Sequence, residues 1–393
     1  MRRYLTILCM LLVVAAVSAA EAPLLFTPGT DSISSTGIHE MINGLEGSVI
    51  FATDHGRSEY TGEWSRYYQD PVNPGAGPLG DFVRAIEFDA AGNLWIGYSN
   101  GLQILTPQGY ITIDDQQLLR NLAVNDLKRR DGEMWVATGQ VGVHRYADGN
   151  WTWYRPHSPE LPGDGTIEKI LIDYLDGTLY LLSSGGLFQL EETAAPEGRF
   201  EEVAEEGDPL AGMKGGISDP HGGVLLFNST RIVHLDAREG YTEVVSVGAL
   251  SPDASQIFDI AAPPQGGILV GTDDGIVYWD EGNVTLHLDR GDGLPDRRVK
   301  TVYLDAQDRL WFTTPSSVGF FLFEGAGLVI PISSPPEGAP VTEEPYKTPS
   351  IPEDAPLPPA PNDTYPPEEV GDNGDLLSLL QGMLDRIFEL FPF

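Results

Sequence analysis

The stretch DAAGNLWIGYSNGL at residues 89–102 is the clearest copy of a unit that recurs along this chain. A strand-like run precedes it, Asp89 to Gly92 form a tight turn, and a second apolar run leads through a small polar loop into a third run. Seven such phrases follow one another at intervals of 40 to 45 residues. A strand-forming unit of this length cannot bury its faces alone, and its repetition is typical of the blades of a β-propeller.

The position of Trp95 in the second run tests this register. Its equivalents are all large and apolar, as a strand packed between two neighbouring blades requires. They are Ile50, Trp95, Trp135, Tyr180, Leu225, Leu269 and Trp311. Four runs per unit predict an all-β protein, a seven-bladed β-propeller of four-stranded blades over residues 21–332, with the fifth copy the weakest.

The last blade of such a ring needs an outer strand, because an open edge can pair with other chains. Two segments compete for this place: Leu328–Ile332, which follows in sequence order, and Leu24–Phe26, which would close the ring by exchange between the two ends. Pro331 suits an outer edge, where no backbone donor is needed. We expect both segments to lie near one another.

The first twenty residues predict export. Two arginines, an apolar stretch over 5–17 and small residues at 18–20 form the three-part pattern of a secretory signal peptide over residues 1–20. The only cysteine, Cys9, lies inside it, so the mature chain is expected to have no disulfide and no cysteine metal site. We therefore expect a secreted, extracellular or cell-surface protein with no transmembrane segment in the mature chain.

Composition changes after the repeats. Residues 333–372 are rich in proline and glutamate and predict a disordered, extended linker. Residues 373–393 predict an amphipathic helix, whose apolar face would bind a protein partner, a second copy of the chain, a membrane interface or a groove on its own propeller, and net acidity argues against an anionic bilayer. The candidate docking residues are Leu376, Leu380, Met383, Leu384, Ile387, Phe388 and Phe391.

The chain is strongly acidic, with 58 acidic and 23 basic residues and a net charge of −35. A field of this sign repels nucleic acid and anionic membranes, so no nucleic-acid partner is expected. It favours a cation, a basic surface, or a neutral ligand such as a glycan or a peptide. A solvated acidic surface that keeps the protein soluble explains the same composition without any ligand.

The loops after the second runs, together with the loops between blades, are expected to gather around the central channel, where propellers usually bind ligands. Polar residues in these loops are the candidate ligand-binding residues. They are Asp54, His55, Tyr98, Asn100, Gln140, Asp273, Asp274, Arg297 and Arg298.

The sequence predicts no metal site, no cofactor and no catalytic residue. The seven histidines show no pair at metal-ligand spacing, and each Asp-x-x-Gly turn offers too few carboxylates for calcium. Sequons for glycosylation are a separate possibility in an exported chain. They occur at Asn150, Asn228, Asn283 and Asn362.

The segment at 89–102 resembles the two-component-regulator propeller repeat, whose consensus is roughly D-x-x-G-x-L-W-I-G-T-x-x-G-L. Segments 131–143, 266–276 and 305–312 match it in part. Propellers of this family usually lie outside the membrane as sensor domains of hybrid histidine kinases. This sequence carries no kinase or DNA-binding domain, so the resemblance implies a free-standing, exported propeller.

Three functional hypotheses follow. The first is an exported, non-catalytic propeller that acts as an extracellular ligand-binding, sensor-like module. The alternative is a cell-surface interaction scaffold tethered through the C-terminal helix. The third, an enzyme similar to the streptogramin lyase propellers, requires a His/Glu pair and a divalent ion, and the sequence shows no second copy of that signature.

Overall fold

The structure is a computed structural model that describes most of the repeat region. The described residues are 22–330 without 30, 76, 115–118, 164, 193–197, 204–209, 211, 237, 239 and 325–327. The predicted signal peptide, linker and C-terminal helix lie outside these residues. Within the described part of the chain, no helix has the length and apolar character that crossing a bilayer demands.

The first four blades follow a leading strand, β1, at Leu24–Phe26. Blade 1 contains β2 Ile38–Asn43, β3 Val49–Thr53, β4 Gly56–Tyr60 and β5 Trp64–Tyr67. Blade 2 contains β6 Val83–Phe88, β7 Leu94–Tyr98, β8 Gly101–Thr106 and β9 Gly109–Thr112. Blade 3 contains β10 Val124–Arg130, β11 Glu133–Thr138, β12 Val143–Ala147 and β13 Asn150–Tyr154. Blade 4 contains β14 Ile167–Ile172, β15 Leu179–Ser183, β16 Gly186–Glu191 and β17 Arg199–Glu202.

The remaining three blades complete the ring. Blade 5 contains β18 Gly215–Ser218, β19 Val224–Phe227, β20 Arg231–Asp236 and β21 Gly240–Ser246. Blade 6 contains β22 Ile257–Ala261, β23 Ile268–Thr272, β24 Gly275–Asp280 and β25 Asn283–Leu288. Blade 7 contains β26 Thr301–Leu304, β27 Arg309–Thr313, β28 Val318–Glu324 and β29 Leu328–Ile330. A helical turn, α1, spans Val247–Leu250, and 3-10 turns span Leu45–Gly47 and Arg290–Asp292.

Each blade is an antiparallel sheet whose strands are hydrogen-bonded in chain order. The predicted second-strand positions all lie on the second strand of their blade. Their side chains are between 0% and 3% exposed, which confirms the repeat register and the seven blades, including the weak fifth copy. The first strands of successive blades contact one another from blade 1 through to blade 7.

The aspartate of the repeat holds the turn between the first two strands. Asp89 accepts the backbone N–H groups of Ala91 and Asn93, each at 2.9 Å, and the indole N–H of Trp95 at 3.1 Å. Asp305 makes the equivalent bond to the indole of Trp311 at 2.7 Å. The carboxylates are thus engaged by their own turns and strands, as the hairpin interpretation predicts.

Both candidate segments close the ring. Strand β1 pairs with one half of β28, where Leu24 lies opposite Phe320. Strand β29 pairs with the other half, where Ile330 lies opposite Leu322. The other edge of β28 is taken by β27, so β1 and β29 lie end to end on the same outer edge. The expectation that the two segments lie near one another is confirmed.

Aromatic side chains pack against one another at the junction between blades 7 and 1. The ring of Phe26 lies 5.3 Å from that of Tyr60, 5.0 Å from that of Trp64 and 6.2 Å from that of Trp311. Phe51 on β3 packs against the same Trp311 at 5.1 Å. The strand contributed by the start of the ring is therefore anchored by side-chain burial as well as by backbone pairing.

Candidate functional site

The loops that the sequence selected come together on one face of the ring. In each case the loop after the second strand hydrogen-bonds to the neighbouring inter-blade loop. The donor–acceptor pairs are Asp54 N to Gly37 O (3.0 Å), Ser99 N to Phe82 O (3.1 Å), Gly139 N to Ala123 O (3.0 Å) and Asp273 N to Gln256 O (3.2 Å). This face surrounds one end of the axial channel, which we call the channel mouth.

A β-bulge recurs where five of the first strands begin. In β2, β6, β10, β14 and β22 the register with the second strand shifts at the second residue. A bulge inserts one unpaired residue and re-aims its side chain, and bulges are frequent beside functional sites. The bulged residues are His39, Arg84, Asn125, Glu168 and Phe258.

Blades 5 and 7 place a lysine at the same position. The backbone N–H of Lys214 donates to the carbonyl of Phe227, and that of Lys300 donates to the carbonyl of Thr313, both at 2.8 Å. Phe227 and Thr313 are also the partners of the next residues, Gly215 and Thr301. One residue per blade therefore occupies this level, and we call the set the mouth ring. It consists of His39, Arg84, Asn125, Glu168, Lys214, Phe258 and Lys300.

The next residue along the strand has a different role in three blades. Glu40 accepts the backbone N–H of Ile86 at 2.9 Å, and Ile86 belongs to the following blade. Asp126 accepts from Ile170 at 2.7 Å and Asp259 from Val302 at 3.0 Å, again in the following blade. We call Glu40, Asp126 and Asp259 the inter-blade carboxylates, because each joins two adjacent blades.

Two lysines lie against these carboxylates inside the channel. The Nζ of Lys128 is 2.7 Å from Glu40 Oε1, and the Nζ of Lys169 is 3.3 Å from Asp126 Oδ1. Burial opposes the charge of Lys128, but the carboxylates of Glu40 and Asp126 raise its pKa well above the usual value.

Among the described residues, Asp259 has no lysine or arginine paired with it. Burial raises its pKa to about 7, although the backbone N–H groups of Val302 and Ile260 and the charge of Lys169 act in the opposite direction. The channel thus holds both paired charges and one carboxylate that changes its charge near neutral pH.

Two cavities open along this axis. One of about 400 Å³ is lined by residues from six of the blades, among them His39, Lys128, Lys169, Lys214 and Asp259. A second, of about 430 Å³, is lined by Arg84, Asn125 and Glu168 together with loop residues such as Gln140. Both volumes are in the range of small-molecule sites.

The structure separates the predicted site residues into two groups. Tyr98 is 1% exposed and packs between blades 1 and 2, so its side chain is not presented to a ligand. Asp273 accepts from the backbone N–H groups of Ser255 (2.8 Å) and Gln256 (3.0 Å), so it joins the loop after β23 to the inter-blade loop before β22. Asp274 is buried and bonded to Ser251 Oγ at 2.6 Å and to the guanidinium of Arg297.

The other predicted residues lie at the face itself. Asp54 is half-buried, and its Oδ1 has no hydrogen-bond partner. His55, Asn100, Gln140 and Arg298 are exposed in their loops. The nine residues are distributed over several blades and inter-blade loops, and they do not form a single cluster.

The sequons have different surroundings. Asn150 and Asn283 are exposed at the starts of β13 and β25. The Oδ1 of Asn228 accepts the backbone N–H of Thr230 at 2.9 Å and so holds its own loop. Asn362 lies outside the described residues.

The mouth ring and the inter-blade carboxylates were missed by sequence reasoning. A bulge interrupts the alternation of a strand by one residue, and alternation was the signal that located the strands. A weak local signal exists, because a β-branched residue precedes each of the five bulges: Ile38, Val83, Val124, Ile167 and Ile257.

Metal-ligating side chains are dispersed over the part of the chain that the structure describes. Within it, no three His, Cys, Asp or Glu residues come together in an arrangement that could hold a metal ion.

Known folds are similar to this one, although no family model and no curated protein matches the chain. The extracellular domain of the putative hybrid two component system BT3049 from B. thetaiotaomicron aligns with a TM-score of 0.62 and 19% identity over 77% of this chain and 42% of that chain. This chain therefore spans less than half the length of that domain.

Two further similar structures come from other contexts. PorZ, an essential bacterial surface component of the type-IX secretion system of Porphyromonas gingivalis, aligns with a TM-score of 0.58 and 15% identity over 75% of this chain and 47% of that chain. Virginiamycin B lyase from Staphylococcus aureus aligns with a TM-score of 0.55 and 15% identity over 74% of this chain and 97% of that chain.

These identities establish the fold and leave the activity open. The resemblance to two-component-regulator propeller repeats is confirmed at that level, since extracellular domains of hybrid two-component systems are among the similar structures.

Proposed function

We propose that the protein is an exported, non-catalytic propeller that binds a ligand at the channel mouth and acts as an extracellular, sensor-like module. The observation that carries this proposal is the mouth ring. Seven first strands present one residue each at the same level, and five of them use a bulge to do so. Such bulges are built features that re-aim side chains.

The mouth ring contributes little to holding the blades together, which favours a role in recognition. Asn125 is the exception, because its Nδ2 donates to the carbonyl of Ile167 at 2.9 Å. In three blades the next residue along does bond to the following blade, as one of the inter-blade carboxylates.

The side chains at the mouth are chemically varied. The ring of His39 lies 4.7 Å from that of Phe82, and Arg84 and Asp54 are close enough to influence the pKa of His39. Burial lowers that pKa first, and Arg84 lowers it further. An aromatic surface with a neutral imidazole, a guanidinium and a carboxylate can hold a small molecule by stacking and hydrogen bonds.

Two further observations support an extracellular role. The pattern of residues 1–20 is that of a secretory signal peptide. BT3049, which is similar in fold, is described as the extracellular domain of a putative hybrid two component system.

A second candidate function is a cell-surface scaffold tethered through residues 373–393. The apolar face from Leu376 to Phe391 favours it, since such a face needs a partner in water. PorZ, also similar in fold, is described as a bacterial surface component. Light scattering on the mature chain, with and without residues 373–393, tests this candidate: self-association lost on truncation supports it, and two monomers contradict it.

A ligand screen tests the first proposal. The mature full chain is mixed with glycans, peptides, divalent cations and small organic anions, and its melting temperature is recorded. A ligand at a hundredfold excess over its Kd should stabilise the fold by about 2.7 kcal/mol. The double variant His39→Ala/Arg84→Ala should lose the shift, whereas Arg199→Gln on the outer strand β17 should keep it. A screen without any shift, or a shift that survives in the double variant, would overturn the proposal.

A further inference from the structure

Lysines are rare in this chain, and they are concentrated on its axis. Of the five in the sequence, Lys128 and Lys169 lie on the first strands β10 and β14. Lys214 and Lys300 belong to the mouth ring. A protein with a net charge of −35 has thus placed four of its five lysines where the blades meet.

These lysines divide into two classes by their partners. Lys128 and Lys169 are ion-paired with Glu40 and Asp126 and act inside the fold. Among the described residues, the side chains of Lys214 and Lys300 have no carboxylate oxygen within 4.0 Å. Both are exposed, and their contribution to the sheets comes from the backbone N–H alone.

Arg84 is a third cation of the same kind. Its Nε is buried without a hydrogen-bond partner, and within the described chain no carboxylate pairs with its guanidinium. A buried donor that the fold leaves unsatisfied has a cost that a ligand acceptor would remove. The mouth ring therefore carries Arg84, Lys214 and Lys300 against one carboxylate of its own, Glu168, while Asp54 of an adjoining loop adds a second carboxylate close to His39.

The acidic surface does not cancel this local excess of positive charge. Exposed charges farther apart than about 8 Å are largely screened at physiological ionic strength. A group that reaches the mouth therefore responds mainly to the side chains it contacts. Ammonium and guanidinium groups form their strongest hydrogen bonds with anionic acceptors.

We propose that the ligand of the channel mouth is a small organic anion that forms charge-assisted contacts with the mouth-ring cations, Lys214 and Arg84 at the two cavities and Lys300 on the same level of the ring. This inference rests on the proposed ligand-binding role and gives it a chemical class. It reverses the expectation of a neutral or cationic ligand that the net charge suggests. The cavity of about 400 Å³ that Lys214 lines suits a small molecule.

The test compares probes that differ in charge. Melting temperature and calorimetric affinity are measured for the mature full chain with glutarate, inorganic sulfate and inorganic phosphate, and with 1,5-pentanediol as the uncharged counterpart of glutarate. At least one anion should bind while the diol does not. Binding should weaken as the ionic strength rises, because salt screens the contact.

Variants then assign the binding to the mouth. Lys214→Gln/Lys300→Gln should weaken the bound anion by about tenfold or more, since two charge-assisted contacts are lost. Lys214→Arg/Lys300→Arg should retain most of the affinity. The control Arg199→Gln removes a cation from an outer strand and should leave the affinity unchanged.

Two outcomes overturn the inference in different ways. If uncharged ligands of the earlier screen bind at the mouth and no anion does, the ligand class is wrong but the ligand-binding role stands. The inference also fails if an anion binds the Gln variant as tightly as the native chain, because the site then lies elsewhere. If no probe of either screen binds, the proposed function itself fails.

Discussion

The mouth ring and the inter-blade carboxylates are adjacent in sequence, yet they differ in exposure and in their bonds to the next blade. Asp126 is fully buried and bonded to the next blade, whereas Glu168, on the mouth ring of that next blade, is exposed. In each of the three blades with an inter-blade carboxylate, the mouth-ring residue is the bulged one and the carboxylate follows it directly. The comparison teaches that a one-residue bulge separates two roles along the strand. The bulged residue is available for contact with a ligand, and the residue after it can stabilise the junction with the next blade.

The largest expected effect is the loss of an inter-blade carboxylate. Asp126→Ala leaves the N–H of Ile170 without its acceptor and leaves Lys169 without its counter-charge. Breaking a buried, hydrogen-bonded ion pair from one side costs about 3–5 kcal/mol. Urea unfolding of the mature chain should show a loss of this size.

The mouth ring supplies the control for that prediction. Glu168→Gln changes a carboxylate one blade away that is exposed, and it should alter the free energy of unfolding by less than about 0.5 kcal/mol. If the two variants are equally destabilised, the division between the two levels is wrong.

A smaller effect is expected at the one junction closed by the two ends of the ring. Blade 7 has Thr301 at the level of the inter-blade carboxylates, and its junction with blade 1 combines aromatic packing around Phe26 with hydrogen bonds such as that from Arg309 to the carbonyl of Gly47 at 2.9 Å. Phe26→Ala should cost about 2–3 kcal/mol, since a partly buried aromatic ring is lost. Leu25→Ala, on the same strand and 41% exposed, is the matched control. Equal melting temperatures for the two variants would show that β1 contributes only its backbone.

The smallest effect is a pH dependence at Asp259. Its pKa is raised to about 7 in the folded chain, above the 3.8 expected when unfolded, so its contribution to stability is present at low pH and is lost as the pH rises to 7. Asp259→Asn removes this titration and keeps an acceptor for the N–H of Val302. The variant should match the native chain near pH 4 and exceed its stability by about 1–2 kcal/mol at pH 8. Parallel stability curves from pH 4 to pH 8 would contradict this.

The fold could be predicted because its signal is periodic. Seven large apolar residues at intervals of 40 to 45 residues fix where each second strand lies, and the structure buries all of them. The turns were predictable for a similar reason, since Asp89 and Asp305 bond to the backbone of their own hairpins.

The site was harder to predict, because it depends on local geometry. Tyr98 ends a second strand, and only the packing of blades 1 and 2 shows that its side chain is buried. Lys214 precedes a strand in the weakest repeat, where alternation carries little information. Net charge favoured a neutral or cationic ligand, because a sum over the whole chain does not show where its few lysines lie.

The pairing of β28 also has a mechanical consequence. The first strand begins at Leu24 and the last described strand ends at Ile330, and these residues face Phe320 and Leu322 on the same strand. One pairing position separates them, which corresponds to about 7 Å at the usual rise of a strand. Tension applied between the two points would run through the outer edge of blade 7 alone. The other six blades, and their residues at the channel mouth, would lie outside the path of this force.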